Sequence, residues 1–208
     1  MKEEQDYIQD LAEIRSMMER SSKFLSLSGL AGVMAGFYAL AGAWLAYSVL
    51  NFNPAVISYN TVQPGASLTN PSQLIMLGVT IVLLAVGTAV LFSQRKAQQR
   101  GETVWNATSR RLLASMAVPL LAGGILILIL ISKNLIGLAA PLTLIFYGIA
   151  LYNASKFSYD DVKYLGMIQV GLGLISSWYI GYSLLLWAIG FGVVHIIYGI
   201  YIHIRYER

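Results

Sequence analysis

Residues 74–92 read LIMLGVTIVLLAVGTAVLF, an unbroken apolar run that is followed closely by Arg95 and Lys96. An α-helix rises about 1.5 Å per residue, so about 20 apolar residues cross the roughly 30 Å hydrocarbon core of a bilayer. Backbone groups find no water in that core, and a helix satisfies them within its own segment. This stretch therefore predicts a transmembrane helix that ends at a charged membrane surface.

The rest of the chain repeats this pattern. Of 208 residues, 57% are apolar and 12% are charged, whereas a soluble domain carries about 25% charged residues. Too little polar surface remains to coat a water-facing globule, so lipid contact is expected. We predict an all-α, polytopic transmembrane bundle in residues 24–208, with the fourth and fifth spans rather short. The six predicted spans are residues 24–50, 74–92, 112–131, 135–152, 164–180 and 183–202.

Residues 1–23 differ from the spans and predict an amphipathic helix. Tyr7, Leu11, Ile14 and Met18 recur at the spacing of a coiled-coil seam. The segment also holds six of the ten acidic residues, which is unlike the basic start of a secretory leader. Two interpretations stay open: a helix lying on the face of its own bundle, or a helix that docks or dimerises.

Charge distribution predicts the orientation. All fourteen Lys and Arg residues except Lys133, and all ten acidic residues, fall at one end of the predicted bundle. Residues 51–73 and 178–183, which join spans at the other end, contain no charge. The excess of Lys and Arg in cytoplasmic loops makes the charged end cytoplasmic, so both termini are predicted to be cytoplasmic.

The first span carries small residues at helix-packing spacing. Gly29, Gly32 and Gly36 lie near one face, and glycine lets two helix backbones approach closely in lipid. The pattern predicts close packing within the bundle, with a homo-oligomer interface as the alternative.

Polar residues recur at one depth in the predicted bundle. Ten residues separate His195 from Arg205, and the short turn near Gly181 makes the last two spans antiparallel neighbours, which sets Gln169 at the same level. Tyr147 shares this depth. So does Ser115, whose carbonyl loses its helical partner to Pro119.

Unpartnered polar groups are costly in hydrocarbon, so these side chains are expected to face one another. One interpretation is a Gln169–His195 hydrogen bond that fixes helix register. The other is a proton-responsive or substrate-contacting site, because His changes charge near neutral pH. The absence of carboxylates from every span weakens a proton relay. Whether His195 changes protonation in function is left open.

Enzyme chemistry finds no support in the sequence. Cysteine is absent, and no nucleophile set or paired carboxylates can be assembled. His203 lies eight residues after His195, about 12 Å along a helix, which is too far to share a metal ion. We therefore predict no catalytic residues, no metal and no cofactor, and we expect a non-enzymatic protein.

A basic patch is predicted at the cytoplasmic end, opposite in sign to residues 1–23. It could pair with that segment, bind a cytoplasmic protein or hold anionic lipid. Helix-end topology accounts for the positive charge, so no nucleic-acid partner is expected. The patch consists of Arg95, Lys96, Arg100, Arg110 and Arg111.

Three stretches carry a family resemblance. They are DLAEIRSMMERSSKF at residues 10–24 running into GLAG at 29–32, IGLAAPLTLIFYG at 136–148, and WAIGFGVVHIIYG at 187–199. Together they resemble a family of small uncharacterised multi-pass inner-membrane proteins of Bacteroidetes-type bacteria. The resemblance covers nearly the whole chain and implies a bacterial inner membrane. It supplies no activity and no site residues.

Two functions are consistent with these observations. The first is a scaffold or regulatory membrane protein that engages a partner through its cytoplasmic face. The second is a small transporter or channel with a mid-membrane site around His195, Gln169 and Tyr147. Neither the partner nor a transported substrate can be identified from the residues.

Overall fold

The computed structural model describes residues 28–54, 70–99 and 104–207. The predicted helix at residues 1–23 and Arg100 of the basic patch lie outside these ranges. The described residues are 88% helical and contain no strand. Seven α-helices are described: α1 (Gly29–Ser48), α2 (Pro71–Gln99), α3 (Ala107–Ser132), α4 (Ala139–Ala154), α5 (Val162–Trp178), α6 (Ser183–Trp187) and α7 (His195–Tyr206).

The last three elements of the chain form one continuous helical segment. A π-helix, Ala188–Val194, joins α6 to α7. We call α6, the π segment and α7 together the C-terminal helix. Short 3₁₀ turns, Ile136–Leu138 and Ile180–Tyr182, lead into α4 and α6.

Five helical segments are long and apolar enough to cross a membrane: Gly29–Ser48, Pro71–Gln99, Ala107–Ser132, Ile136–Phe157 and Ile180–Tyr206. The fifth of the six predicted spans is also a helix, α5, but it has only 17 residues. A straight crossing needs about 20 residues, so α5 is short for a span. The all-helical, membrane-type bundle is confirmed, with five or six segments of spanning character among the described residues.

One end of the bundle carries most of the charge, and we call it the charged end. Arg95 and Lys96 lie near the last turn of α2, Arg110 lies in the first turn of α3, and Arg205 lies in the last turn of α7. At the opposite end α3 stops in a turn in which Asn134 has a φ of 61°. The N–H groups of Asn134 and Leu135 bond back to Ile131 and Leu130 at 3.0 and 2.9 Å. This closes the helix in the Schellman manner.

Close backbone contact joins α1 to the C-terminal helix. A Cβ built on Gly199 would lie 2.5 Å from the Gly29 carbonyl oxygen and 2.7 Å from the Val33 nitrogen. Gly32 and Gly36 face the same helix, against Gly199 and Gly192. The predicted glycine face is therefore occupied within the chain, so the alternative of an oligomer interface along it is not supported.

The second close contact joins α4 to α5. A Cβ on Gly148 would lie 2.6 Å from the Gly166 carbonyl, and a Cβ on Gly166 would lie 2.7 Å from the Gly148 carbonyl. At the charged end an apolar core built on Leu151, Leu165 and Ile202 continues this interface. Glycine contacts thus hold α5 against α4, and the C-terminal helix against α1. The polar residues at mid-bundle lie on these helices.

The helices α2 and α3 are peripheral by comparison. None of the most apolar stretch of α2 is buried, and only 11% of that of α3 is. Helix α2 packs mainly on α1, and α3 packs mainly on α4. Most of their side chains, such as Leu83 and Val118, are exposed and suited to lipid.

Candidate functional site

The mid-bundle site is built on one backbone carbonyl, that of Gly190 in the π segment. The side-chain amide of Gln169 donates to it from Nε2 at 2.8 Å. The ring of His195 folds back onto it, with Nδ1 at 2.9 Å. One oxygen therefore receives side chains from both α5 and α7. π-Helical turns often mark functional positions in helices.

The hydrogen bonds determine the tautomer of His195. A carbonyl oxygen only accepts, so Nδ1 must carry the proton and donate to Gly190. The other ring nitrogen, Nε2, is then free to accept, and the hydroxyl of Tyr147 lies 3.1 Å from it. Both nitrogens of the ring are thus engaged by the protein, and His195 is only 6% exposed.

The predicted direct bond between Gln169 and His195 is replaced by a shared acceptor. Nε2 of Gln169 and Nδ1 of His195 are 3.4 Å apart. Both atoms carry protons that point to the Gly190 carbonyl, so they do not bond to each other. The two residues lie at matching depth, as predicted, but the link between their helices passes through the backbone.

Gln169 leaves one buried atom unpartnered. Its side chain is fully buried, and among the described residues Oε1 has no hydrogen-bond donor. A Cβ built on Gly190 would lie 2.7 Å from this oxygen and 2.6 Å from Cδ2 of Leu144. The amide therefore fits only because residue 190 is a glycine. An unpartnered buried carbonyl costs free energy and needs an explanation.

An aromatic ladder covers the polar cluster. The ring of Phe191 stacks on His195 with centroids 5.6 Å apart and lies 5.0 Å from the ring of Tyr147. Trp187 continues the ladder and donates from Nε1 to Thr143 Oγ1 at 3.0 Å. These residues were missed from sequence. Their spacing of four, as in Trp187–Phe191–His195 and Thr143–Tyr147, is the signal that would have found them.

Ser115 does not join the cluster. Its hydroxyl donates to the Leu112 carbonyl of its own helix at 2.7 Å. Of the four residues predicted to meet at this depth, the structure brings together His195, Gln169 and Tyr147. Met116, next to Ser115, packs instead on the apolar core that contains Leu151, Leu165 and Ile202.

A second network lies at the charged end, around the carboxylate of Glu207. Its Oε1 accepts from the Gly29 N–H at 2.7 Å and from Lys96 Nζ at 2.9 Å. Its Oε2 accepts from His203 Nδ1 at 2.5 Å. Ser28 gives α1 no side-chain cap, so the side-chain carboxylate of Glu207 caps that helix and complements its dipole.

Electrostatics keep Glu207 ionised. Burial raises its pKa, but the hydrogen bonds from His203, the Gly29 N–H and Lys96 outweigh burial and leave the pKa below its usual value. A neighbouring pair of contacts links α5 to α7, because Asp161 Oδ2 accepts from Tyr206 at 2.9 Å and lies 3.8 Å from Arg205.

The predicted basic patch is divided by these contacts. Lys96 belongs to the Glu207 network, with its side chain 11% exposed. Arg95, Arg110 and Arg111 are exposed instead. Within residues 28–54, 70–99 and 104–207 the side chains of these three arginines have no hydrogen-bond or ion-pair partner. The charged end therefore carries one basic side chain in an ion pair, that of Lys96, and three exposed arginine side chains without a partner among the described residues.

No metal-ligating group emerges from the described ranges, where no three His, Cys, Asp or Glu side chains come close enough to hold an ion. Comparison with known proteins gave no family model, no curated protein and no solved structure with detectable similarity to the chain. The functional argument therefore rests on the geometry of the two networks and on the exposed charges.

Proposed function

We propose that this chain is a non-enzymatic, multi-pass protein of a bacterial inner membrane that serves as a scaffold or regulatory component. It binds a protein partner at its charged, cytoplasmic end. The observation that carries the proposal is the closed mid-bundle cluster. Both ring nitrogens of His195 are engaged by the protein itself, and the helices around it are held by glycine contacts.

The charged end supplies the surface for a partner. The Glu207 carboxylate accepts a hydrogen bond from the Gly29 N–H, so α1 begins beside Glu207 at the charged end. Residues 1–27 precede this point in the sequence. Those residues carry most of the acidic charge of the chain. An amphipathic, acidic segment tethered there is suited to recognition of a soluble protein.

The test is affinity purification of the full chain from native membranes, compared with a variant lacking residues 2–20. A soluble protein that co-purifies with the full chain and is lost from the deletion variant supports the proposal. The matched control is Lys133→Gln, which removes charge at the opposite end and should retain the partner. Equal recovery of soluble proteins with and without residues 2–20 contradicts it.

A small transporter or channel is the second candidate, and one observation favours it. Within the part of the chain that the structure describes, Oε1 of Gln169 is buried without a donor, and a polar group kept at such a cost is often functional in membranes. A transported solute or water could supply the missing donor.

Proteoliposome flux separates the two candidates. A solute or proton flux that is present in the original chain and lost in His195→Leu supports the transporter, provided that the variant stays monodisperse. If His195→Leu retains the flux, or if neither protein shows a flux, His195 has no role in transport. Its role is then to fix the positions of the helices.

A further inference from the structure

The side chains of Arg95, Arg110 and Arg111 have no partner among the described residues, as is also true of Lys133 and Lys156, whereas the remaining described Lys and Arg side chains do have one. Lys96 pairs with Glu207, Arg205 lies against Asp161 and Tyr201, and Lys163 lies over the ring of Tyr152. The three arginines are exposed and make no such contact with the described part of the chain. Guanidinium groups carry five fixed donors, so an external acceptor is expected.

The position of each arginine identifies the medium it faces. Arg95 lies one helical turn after Leu91, which is 60% exposed, so both lie on the outward face of α2. Arg110 lies one turn before Leu113, which is 50% exposed, and Arg111 lies two turns before Val118, which is 75% exposed. Each guanidinium thus continues a stripe of exposed apolar side chains toward the charged end.

The depth of the three arginines agrees with the headgroup layer. Arg95 is about one turn from the end of α2, and Arg110 and Arg111 are within about one turn of the start of α3. Trp105, in the same connection, is 69% exposed. Tryptophan prefers the level of the lipid headgroups, because its ring is apolar and its N–H seeks an acceptor.

We propose that Arg95, Arg110 and Arg111 bind the phosphate groups of anionic phospholipids in the leaflet at the charged end. A guanidinium forms two parallel bonds to phosphate oxygens, and net negative headgroups add attraction to a basic surface. The lipid-facing stripes favour a headgroup over a soluble acidic protein, because the same helix faces continue into hydrocarbon.

The experiment is native mass spectrometry of the detergent-purified full chain, titrated with phosphatidylglycerol and, separately, with zwitterionic phosphatidylcholine. We expect tighter binding of phosphatidylglycerol. The triple variant Arg95→Gln, Arg110→Gln, Arg111→Gln should bind it about fivefold more weakly for each arginine, from about 1 kcal/mol for each basic residue near a headgroup surface. The control variant Lys133→Gln, Lys163→Gln, Arg205→Gln loses the same charge and should change affinity less than about threefold.

Further variants keep the outcome decisive. All three arginines are exposed, so the triple variant should fold. If it does not, the Arg→Lys triple variant keeps the charge and should retain most of the affinity for phosphatidylglycerol. Equal losses in the triple and control variants overturn the proposal, as does equal binding of the two lipids. Competition by excess inorganic phosphate would assign the arginines to a soluble anion and also overturn it. The proposal is also overturned if the triple variant loses a co-purifying protein while its binding of phosphatidylglycerol is unchanged.

Discussion

The mid-bundle cluster and the charged-end network each gather helices around a single acceptor, but the acceptors differ. At mid-bundle the acceptor is the neutral Gly190 carbonyl, and the side chains of Gln169 and His195 are the donors. At the charged end it is the Glu207 carboxylate, which receives Lys96 and His203. Burying a charge costs much free energy in hydrocarbon and little where water reaches it. The depth of a contact in the membrane therefore decides whether a neutral or a charged acceptor joins the helices.

The largest effect is expected where the two networks share a helix contact. Gly199→Val places a side chain against backbone atoms of Gly29 and Val33, which cannot yield cheaply. It should lower the unfolding free energy by about 3 kcal/mol, the upper range for overpacking, and displace Gly29 from Glu207. Thermal stability in detergent, followed by gel filtration, measures this. Gly124→Val is the control, because nothing lies within 4 Å of a Cβ there. Equal losses would show that glycine contacts do not hold α1.

His195→Leu breaks the mid-bundle cluster alone. It removes one donor to the Gly190 carbonyl and leaves the Tyr147 hydroxyl without its acceptor. An unpartnered buried hydroxyl costs about 1–3 kcal/mol, so a loss of about 2 kcal/mol in the same thermal assay is expected. The double variant with Tyr147→Phe should recover part of that loss. No recovery would mean that the Tyr147–His195 bond is not the stabilising contact.

Glu207→Gln breaks the charged-end network alone. The substitution replaces the charged carboxylate acceptor by a neutral amide, and it should lower the unfolding free energy by about 1 kcal/mol at neutral pH. The pKa of Glu207 is lowered in the folded protein, so its contribution is complete above the ordinary carboxyl pKa and is lost as pH falls through the lowered value.

The thermal stabilities of the original chain and Glu207→Gln should therefore differ at pH 7 and converge as the medium becomes acidic. The mid-bundle variant Gln169→Leu serves as the control, since its difference from the original chain should not follow the carboxyl titration. A constant difference between the Glu207→Gln variant and the original chain across this range would contradict the assigned role of the carboxylate.

The smallest effect has the opposite sign. Gln169→Leu loses one interhelical bond, worth about 0.6 kcal/mol in membrane proteins. It also removes an unpartnered buried oxygen that costs about 1–3 kcal/mol. A net gain in thermal stability of about 1 kcal/mol is expected. A loss would mean that Oε1 has a donor, such as a bound water or solute, and would strengthen the transporter hypothesis.

Much of the architecture could be predicted because hydrophobic length and charge position are directly visible in sequence. The matching depth of Gln169, His195 and Tyr147 followed from counting residues along antiparallel helices. The shared carbonyl could not be predicted, because it lies in a π-helix at Gly190 that the hydrophobic pattern does not indicate. Ser115 was misplaced because depth fixes the level of a residue but not the face that it occupies.

The basic patch shows the same limit. Arg95 and Lys96 are adjacent and count equally in a topology argument, yet one is exposed and the other lies in an ion pair with Glu207. Neighbouring residues of a helix point in directions about 100° apart, so Arg95 and Lys96 face different surroundings. Which of them faces inward depends on where α1 and Glu207 lie, and the sequence does not give that position.

The bond between Gly29 and Glu207 spans 178 residues of chain. At a synthesis rate of about 5–20 residues per second, α1 enters the membrane roughly 10–40 s before its capping carboxylate and glycine-bearing partner are made. During that interval the Gly29 N–H lacks its Glu207 acceptor, and the glycine face of α1 can contact only lipid or an insertion factor. Among the described helices, the packing of α1 is therefore completed only when the C-terminal helix docks onto it.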